Sequence, residues 1–524
     1  MAGRLSFRSS GDGSTRARRG RIVQDLMHGL IGAAQVALGV WLLWQHALST
    51  DRVIPFRATC AVVLAVLGAI HLSLLITRRS RVPNAARVSD PSVRPSRLGE
   101  PCYSGSGTFS PSARRVYRRG MLVGAILCYV ASLIVSRPSA PYVFLSSLSV
   151  WHALVLAAIA DSASPGVALA IGRKGKLVRL RGYGRLDWDA AAPPATPSSL
   201  WDMASVTKVS ATTSAAMILV EAGRLDLDAP VVDYLPWWSS GDPLKETVKV
   251  RHLLLHRAGL PPFRRFFLEM EGKDAYKQAI SDLPLDYTPG ESTVYSDIGL
   301  MTLAFIVEEV TGSNLEDFLN DRVWGPLGMQ DTGFRPDPAL LPRIAPTEVD
   351  TTFRFTHVHG VVHDENAFAI GGVAGHAGLF SSARDMAVLA QALLSGGMVP
   401  SCSLEPGAGV PCSAPRPGSV RIAAPTSVEL FTRRHDSTSS RALGWDTPED
   451  GSSSGDYLTE RAFGHTGFTG TSIWVDPELD LFVVLLTSRT NPTRANSKHV
   501  RLRRTLHDAV AQAITDRSVP VRKR

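Results

Sequence analysis

Ser205 and Lys208 stand three residues apart in Ser205-Val206-Thr207-Lys208. On a helix that spacing puts both side chains on one face, where an amine reaches a hydroxyl. A lysine whose pKa is lowered by burial can take the serine proton and leave the oxygen a nucleophile. A serine at a helix start also lies near unpaired N–H groups, which favour developing negative charge. A capping serine followed by a surface lysine would give the same four residues. The context argues against that, because Ala211, Ala215, Ala216, Met217, Ile218 and Leu219 follow and predict a buried helix with an inward lysine.

Two further stretches carry chemistry. Tyr295-Ser296-Asp297 follows a Pro289-Gly290 turn. A tyrosine beside a lysine can serve as general base, because the ammonium favours its phenolate. A packed tyrosine with a satisfied hydroxyl is the plainer alternative. The other stretch is Gly464-His465-Thr466-Gly467-Phe468-Thr469-Gly470. Its small residues leave a strand edge open, so a substrate can lie beside His465, Thr466 and Gly467. The N–H of Phe468 can then join that of Ser205 as an oxyanion hole. A glycine-rich turn without a ligand is the alternative.

His363, Asp364, Glu365 and His376 make a polar group within a glycine-rich stretch, suited to lining a pocket. Two histidines and two acids can also hold zinc, and a loop-bracing cluster is the third possibility. No metal and no cofactor is assigned. The five cysteines show no paired spacing of a zinc site.

The order Ser-x-x-Lys, then Tyr-x-Asp, then His-Thr-Gly resembles the serine β-lactamase and penicillin-binding family, in its class C-like branch with D,D-peptidases and esterases. Pro165-Gly166, Leu225-Asp226-Leu227-Asp228, Leu253-Leu254-Leu255-His256 before Gly259-Leu260-Pro261, and Pro326-Leu327-Gly328-Met329 extend the resemblance over roughly residues 145–515. It implies an acyl-enzyme on Ser205, proton transfer shared by Lys208 and Tyr295, and an oxyanion held by the N–H groups of Ser205 and Phe468. The implied fold is an α/β (α+β) β-lactamase/D,D-peptidase type, an antiparallel sheet flanked by helices with a helical subdomain beside it.

Two positions depart from the family pattern. Asp297 stands in place of Asn and, when ionised, only accepts hydrogen bonds. His465 stands in place of the Lys that helps hold a substrate carboxylate, and a histidine is mostly neutral at pH 7. Both put efficient β-lactam hydrolysis in doubt. Arg343-Ile344-Ala345-Pro346-Thr347-Glu348, His363-Asp364-Glu365-Asn366-Ala367 and Gly371-Gly372-Val373-Ala374-Gly375-His376-Ala377-Gly378 look like the branch that includes exo-acting N-acetylmuramyl-L-alanine amidases. That resemblance implies a peptidoglycan-derived small molecule as substrate.

The elements that must position these residues are readable as well. Apolar runs at 166–171 and 177–182 flank Arg173-Lys174-Gly175-Lys176 and predict a hairpin. Runs at 472–475 and 481–487 around Asp476-Pro477-Glu478-Leu479-Asp480 predict a second. Helices are predicted over 210–222, ending at Gly223, over 297–310, ending near Gly312, and over 499–514. The stretch 396–420 is a Pro/Gly/Ser-rich insertion.

Residues 26–50, 58–77 and 120–136 contain no Asp, Glu, Lys or Arg and predict three membrane helices. Residues 1–119 hold 18 Arg against five acids, or +13, so the rest carries −4 of the net +9. A basic excess beside apolar spans indicates membrane topology and excludes a nucleic-acid groove. Six Arg precede the first span and ten lie between the second and third, which places those stretches inside and the catalytic domain, residues 141–524, outside. A charge-free stretch at 141–160 is a candidate fourth span, but its apolar residues have amphipathic helical spacing. The basic loop 78–119 is expected to be disordered. Cys402 and Cys412 would pair in an oxidising compartment. The expectation is a multi-pass, extracytoplasmic serine hydrolase cleaving an amide or ester. A membrane sensor acylated without turnover is the alternative.

Overall fold

The computed structural model describes residues 140–399 and 420–522. The apolar stretches 26–50, 58–77 and 120–136, the basic segment 78–119 and the Cys402/Cys412 pair lie outside the described residues. The compact unit that holds the site runs from Val143 to Arg524.

This unit begins in helix α1 (Ala140–Ala160), followed by strands β1 (Gly166–Arg173) and β2 (Lys176–Gly184). Helices α2 (Ser214–Glu221), α3 (Asp297–Thr311), α4 (Glu365–Ala369) and α5 (Ala383–Leu394) stand among shorter turns in the middle of the chain. Strands β3 (Phe463–Thr466), β4 (Ser472–Asp476) and β5 (Leu481–Thr487) precede the last helix, α6 (His499–Gln512). The sheet order is β3-β4-β5-β1-β2, antiparallel throughout. Both predicted hairpins are present, and β5 joins them by pairing with β1 from Val167–Thr487 to Arg173–Leu481.

The sheet is covered on both faces, so its central strands read as continuous apolar runs, not alternating ones. On one face Val167, Leu169, Ile171, Val483 and Leu485 pack with Trp151 and Val155 of α1 and with Leu502, Leu506 and Val510 of α6. Those two α1 residues are buried, as the amphipathic spacing predicts. On the other face Ala168, Ala170, Val484 and Leu486 join Leu389 and Ala390 of α5 in the larger core. Small alanines there let α5 lie close against β1. That core extends without a break into α2 and α3. Among the described residues no single helix is long and apolar enough to cross a membrane.

The helix after Ser205 differs from a plain α-helix. A single 3-10 turn (Ala204–Val206) leads to a π-helical segment (Lys208–Thr213), and regular α geometry begins only at α2. The Ser214 hydroxyl donates to the Val209 carbonyl, five residues back, at 2.8 Å, which suits the wider π turn. Gly312 ends α3 in the left-handed conformation, as expected of a Gly cap.

Candidate active site

The turn that carries Ser205 is held from three sides. Trp201–Asp202 pairs with the short strand Leu379–Ser381. The Asp202 carboxylate accepts from the N–H of Ala204 (2.8 Å) and from the N–H of His363 (2.6 Å). The carbonyls of Asp202 and Met203 accept from the hydroxyls of Thr469 (2.7 Å) and Thr471 (2.9 Å). Ala204 is bent to φ +45° between these anchors, a conformation that non-glycine residues adopt only where the surroundings enforce it. Ser205 thus sits on a tight, braced turn, half-buried.

Lys208 is fully buried, and three oxygens surround its Nζ. Ser205 Oγ lies at 3.0 Å, the His376 carbonyl at 2.9 Å and Asp297 Oδ1 at 2.7 Å. The Tyr295 hydroxyl is a further polar partner, so every donor of the ammonium is engaged. Burial pulls the Lys208 pKa down, but the charges of Asp297 and Tyr295 outweigh it and hold the amine above its ordinary value. This corrects the expectation of a lysine freed by burial. Asp297, at the start of α3, keeps the proton on Lys208 at rest.

Tyr295 lies among four groups. Its ring centroid is 4.6 Å from that of His256 and 6.0 Å from that of His465. Lys208 Nζ is 4.9 Å from the ring centroid and Arg441 Cζ 5.2 Å. Burial raises the Tyr295 pKa, the Lys208 ammonium opposes the rise, and the net direction is upward. The phenol therefore rests protonated, which corrects the expectation of a phenolate favoured by the ammonium. Hydrogen bonds from Lys208 and Ser205 to the hydroxyl act in the same downward direction as the ammonium.

Both flanking histidines are neutral. The N–H of Ser296 donates to His256 Nδ1 at 3.1 Å, so the His256 proton is on Nε2. His465 Nδ1 is 2.9 Å from the Thr466 carbonyl, which places its proton on Nδ1. Burial, followed by the charge of Arg441, pushes both pKa values well below the usual histidine value. His465 thus occupies the predicted strand without a charge.

The turn after β3 is pressed against the Ser205 turn. A Cβ on Gly467 would fall 2.4 Å from the Met203 carbonyl oxygen and 2.1 Å from Thr471 Oγ1. Only glycine allows this approach, which brings the backbone of Phe468 toward that of Ser205. Arg503, buried behind the turn, donates to the carbonyls of Gly467 and Thr471, both at 2.6 Å. The Phe468 ring is half-exposed, with Arg489 Cζ 4.1 Å from its centroid and the His363 ring stacked at 5.7 Å.

The four residues expected to line a pocket separate into two sets of hydrogen-bonded side chains. His376 Nε2 lies 2.9 Å from Asp364 Oδ1, and Asp364 caps α4 by accepting from the N–H of Ala367 at 2.8 Å. Burial would raise the Asp364 pKa, but His376 holds it well below the carboxylate range. His363 Nε2 pairs with Glu348 at 3.1 Å, and Arg494 joins Glu348 (2.5 Å) to Glu365 (2.7 Å). His363, Glu365 and His376 are buried. They brace the walls behind Lys208 and Phe468. Among the described residues no group of three or more His, Cys, Asp or Glu is arranged to hold a metal.

Sequence reasoning did not single out Asp202, His256 or Arg441 as site residues. Asp202 lies three positions before Ser205, and His256 ends a quoted stretch, so both had a local signal. Arg441 had none, because its place depends on a bridge between Asp446 and Gly464.

The family model described as Beta-lactamase matches residues 152–507. A protein of Salmonella schwarzengrund (strain CVM19633), named "Putative D-alanyl-D-alanine carboxypeptidase", is 34% identical over 331 residues, covering 58% of this chain and 72% of that protein. The protein of the same name from Salmonella typhimurium is 33% identical over the same shares. Among solved structures, "EstCE1, a hydrolase with promiscuous acyltransferase activity" superposes with a TM-score of 0.55 and 22% identity over 70% of this chain and 99% of that one. A penicillin-binding protein homolog from Caulobacter crescentus does so with a TM-score of 0.53 and 19% identity over 70% and 98%. At such identities the superpositions show the shared fold alone.

Proposed function

Because this chain belongs to the beta-lactamase family and is a serine hydrolase, we propose that Ser205 is its nucleophile and that it cleaves a small amide or ester through an acyl-enzyme. The observation that carries this is the position of Lys208 Nζ, within 3.0 Å of both Ser205 Oγ and Asp297 Oδ1. As Ser205 attacks the carbonyl carbon, its proton passes to Nζ while Nζ releases one to the Asp297 carboxylate. Tyr295, protonated at rest, gives its proton to the leaving nitrogen or oxygen and regains one from the Lys208–Asp297 pair. The oxyanion faces the N–H groups of Ser205 and Phe468, whose turns are stitched together. Water then reverses these steps on the acyl-enzyme and restores Ser205.

Cell-wall muropeptides are the proposed substrate class, supported by relatives named as carboxypeptidases and by the stretches around His363 and His376. An ester is an alternative substrate within the same chemistry. The apolar stretches and the Arg distribution support a membrane anchor with the hydrolase outside.

The test exposes the purified hydrolase unit to muropeptides, p-nitrophenyl esters and a labelled penicillin, comparing wild type with Ser205→Ala. Turnover by the wild type and none by the variant is expected. Turnover surviving in the variant would sink the assignment of Ser205, and stable labelling without turnover would favour the sensor. A reporter joined after Arg524 that works only in the cytoplasm would overturn the outside placement.

A further inference from the structure

The peptide group between Gly467 and Phe468 meets a cation at one end and no protein group at the other. Its N–H, that of Phe468, makes no hydrogen bond among the described residues and is the one that faces the oxyanion in the mechanism above. Its carbonyl, that of Gly467, accepts from Arg503 Nη2 at 2.6 Å. The same nitrogen donates to the Thr471 carbonyl, also at 2.6 Å. Arg503 belongs to α6, so a helix at the end of the chain delivers a charge to the turn after β3.

Two observations separate Arg503 from a mere brace. The turn closes without it, because the Gly467 carbonyl also accepts from the N–H of Gly470 at 3.1 Å and the Thr471 carbonyl from the N–H of Gly467 at 2.8 Å. Its charge is also uncompensated. Arg503 is 6% exposed, its Nε has no partner, and among the described residues no carboxylate acts on it, only the like charge of Arg489. Burial, followed by Arg489, pushes its pKa down to about 9, which leaves it a cation at pH 7. A buried cation without a counter-charge is costly, and its hydrogen bonds among the described residues all run to this turn.

An amide is conjugated from its oxygen to its nitrogen. A cation on the oxygen draws electron density along that path and makes the N–H at the far end a stronger donor. In a dry site such a charge is already in place when the oxyanion forms, so no reorganisation is needed.

We infer that Arg503 is a positioning residue that acts through the Gly467–Phe468 peptide. Its guanidinium polarises this peptide, so that the Phe468 N–H stabilises the tetrahedral oxyanion more than an unaided amide would. The inference rests on the reading of Ser205 as nucleophile and of the Phe468 N–H as an oxyanion donor.

Arg503→Gln and Arg503→Met both remove the charge, the first keeping a donor and the second leaving an apolar chain, while Arg503→Lys keeps the charge. Each is compared with wild type on a p-nitrophenyl ester whose carbonyl is isotope-labelled. Rapid-mixing infrared spectra read the stretch of the acyl carbonyl on Ser205, and urea midpoints read stability. The neutral variants should lose about 5- to 30-fold in kcat, less than the loss of a whole oxyanion donor, with KM changed less than about twofold. Their acyl stretch should move to higher frequency, and Arg503→Lys should recover part of both effects. An acyl band with the same stretch in wild type and variants would overturn the role of Arg503 and leave the nucleophile standing. So would a fall in kcat that only follows a fall in the urea midpoint. An acyl band absent from wild type, or still present in Ser205→Ala, would remove the reading of Ser205 and this inference with it.

Discussion

Asp297 changes what Lys208 can do at rest. An amide at that position would leave burial as the main influence on the amine, whereas a carboxylate 2.7 Å away keeps the ammonium intact. The group that must accept the Ser205 proton is thus loaded, and a free Nζ is reached only by handing a proton to Asp297. Asp297→Asn should therefore lower the Lys208 pKa but remove the acceptor of that proton, so that the acid limb of kcat/KM comes to report Nζ itself and moves to higher pH by about one unit or more. Rate profiles with a p-nitrophenyl ester would show this, and an unmoved limb would mean that Asp297 does not set the protonation of Lys208. Ser205, Lys208 and Tyr295 were legible in the sequence because their signals are local, in spacing and in neighbouring apolar residues. Their protonation states were not, since these depend on the balance between burial and charges brought from separate segments. Arg441 was invisible for the same reason.

The elements around the site work as clamps. The turn after β3 and the turn at Ser205 meet where a Cβ on Gly467 would strike the Met203 carbonyl. Gly467→Ala should push the turns apart and lower kcat by about 10-fold or more, the scale of losing aligned oxyanion donors, with a smaller change in KM. An unchanged kcat would show that the Phe468 N–H does not need this approach. The second clamp is Glu348, which ties the loop before α4 to Arg494 beyond β5. Burial works to raise its pKa, but His363 and Arg494 bring it down to about 2 from an ordinary 4.5. A depressed carboxylate stabilises the fold fully above its unfolded value and loses that contribution as pH falls from about 4.5 to 2. Glu348→Gln should cost about 3 kcal/mol at most at pH 7 and give a flatter loss of stability across that range. Urea midpoints at several pH values would check it. The hairpins were readable because turn residues separate two apolar runs. The π-helical segment at Lys208–Thr213 was not, because the hydrogen bond from Ser214 to Val209 leaves no periodic trace.

At the scale of the molecule, the pairing of β1 with β5 has a consequence for synthesis. β1 gains β2 as a neighbour almost at once, yet its other neighbour is made some 300 residues later, a separation of the kind that slows folding. Until then one side of β1 presents open backbone donors and acceptors, which in water invite pairing with another chain. The growing polypeptide must therefore wait with a sticky ribbon exposed through most of translation. Nascent chains halted on the ribosome before Leu481 has emerged should remain protease-sensitive through the hydrolase unit. Those released with β5 and α6 complete should become resistant in a single step, and earlier resistance would mean that the middle helices fold without the sheet.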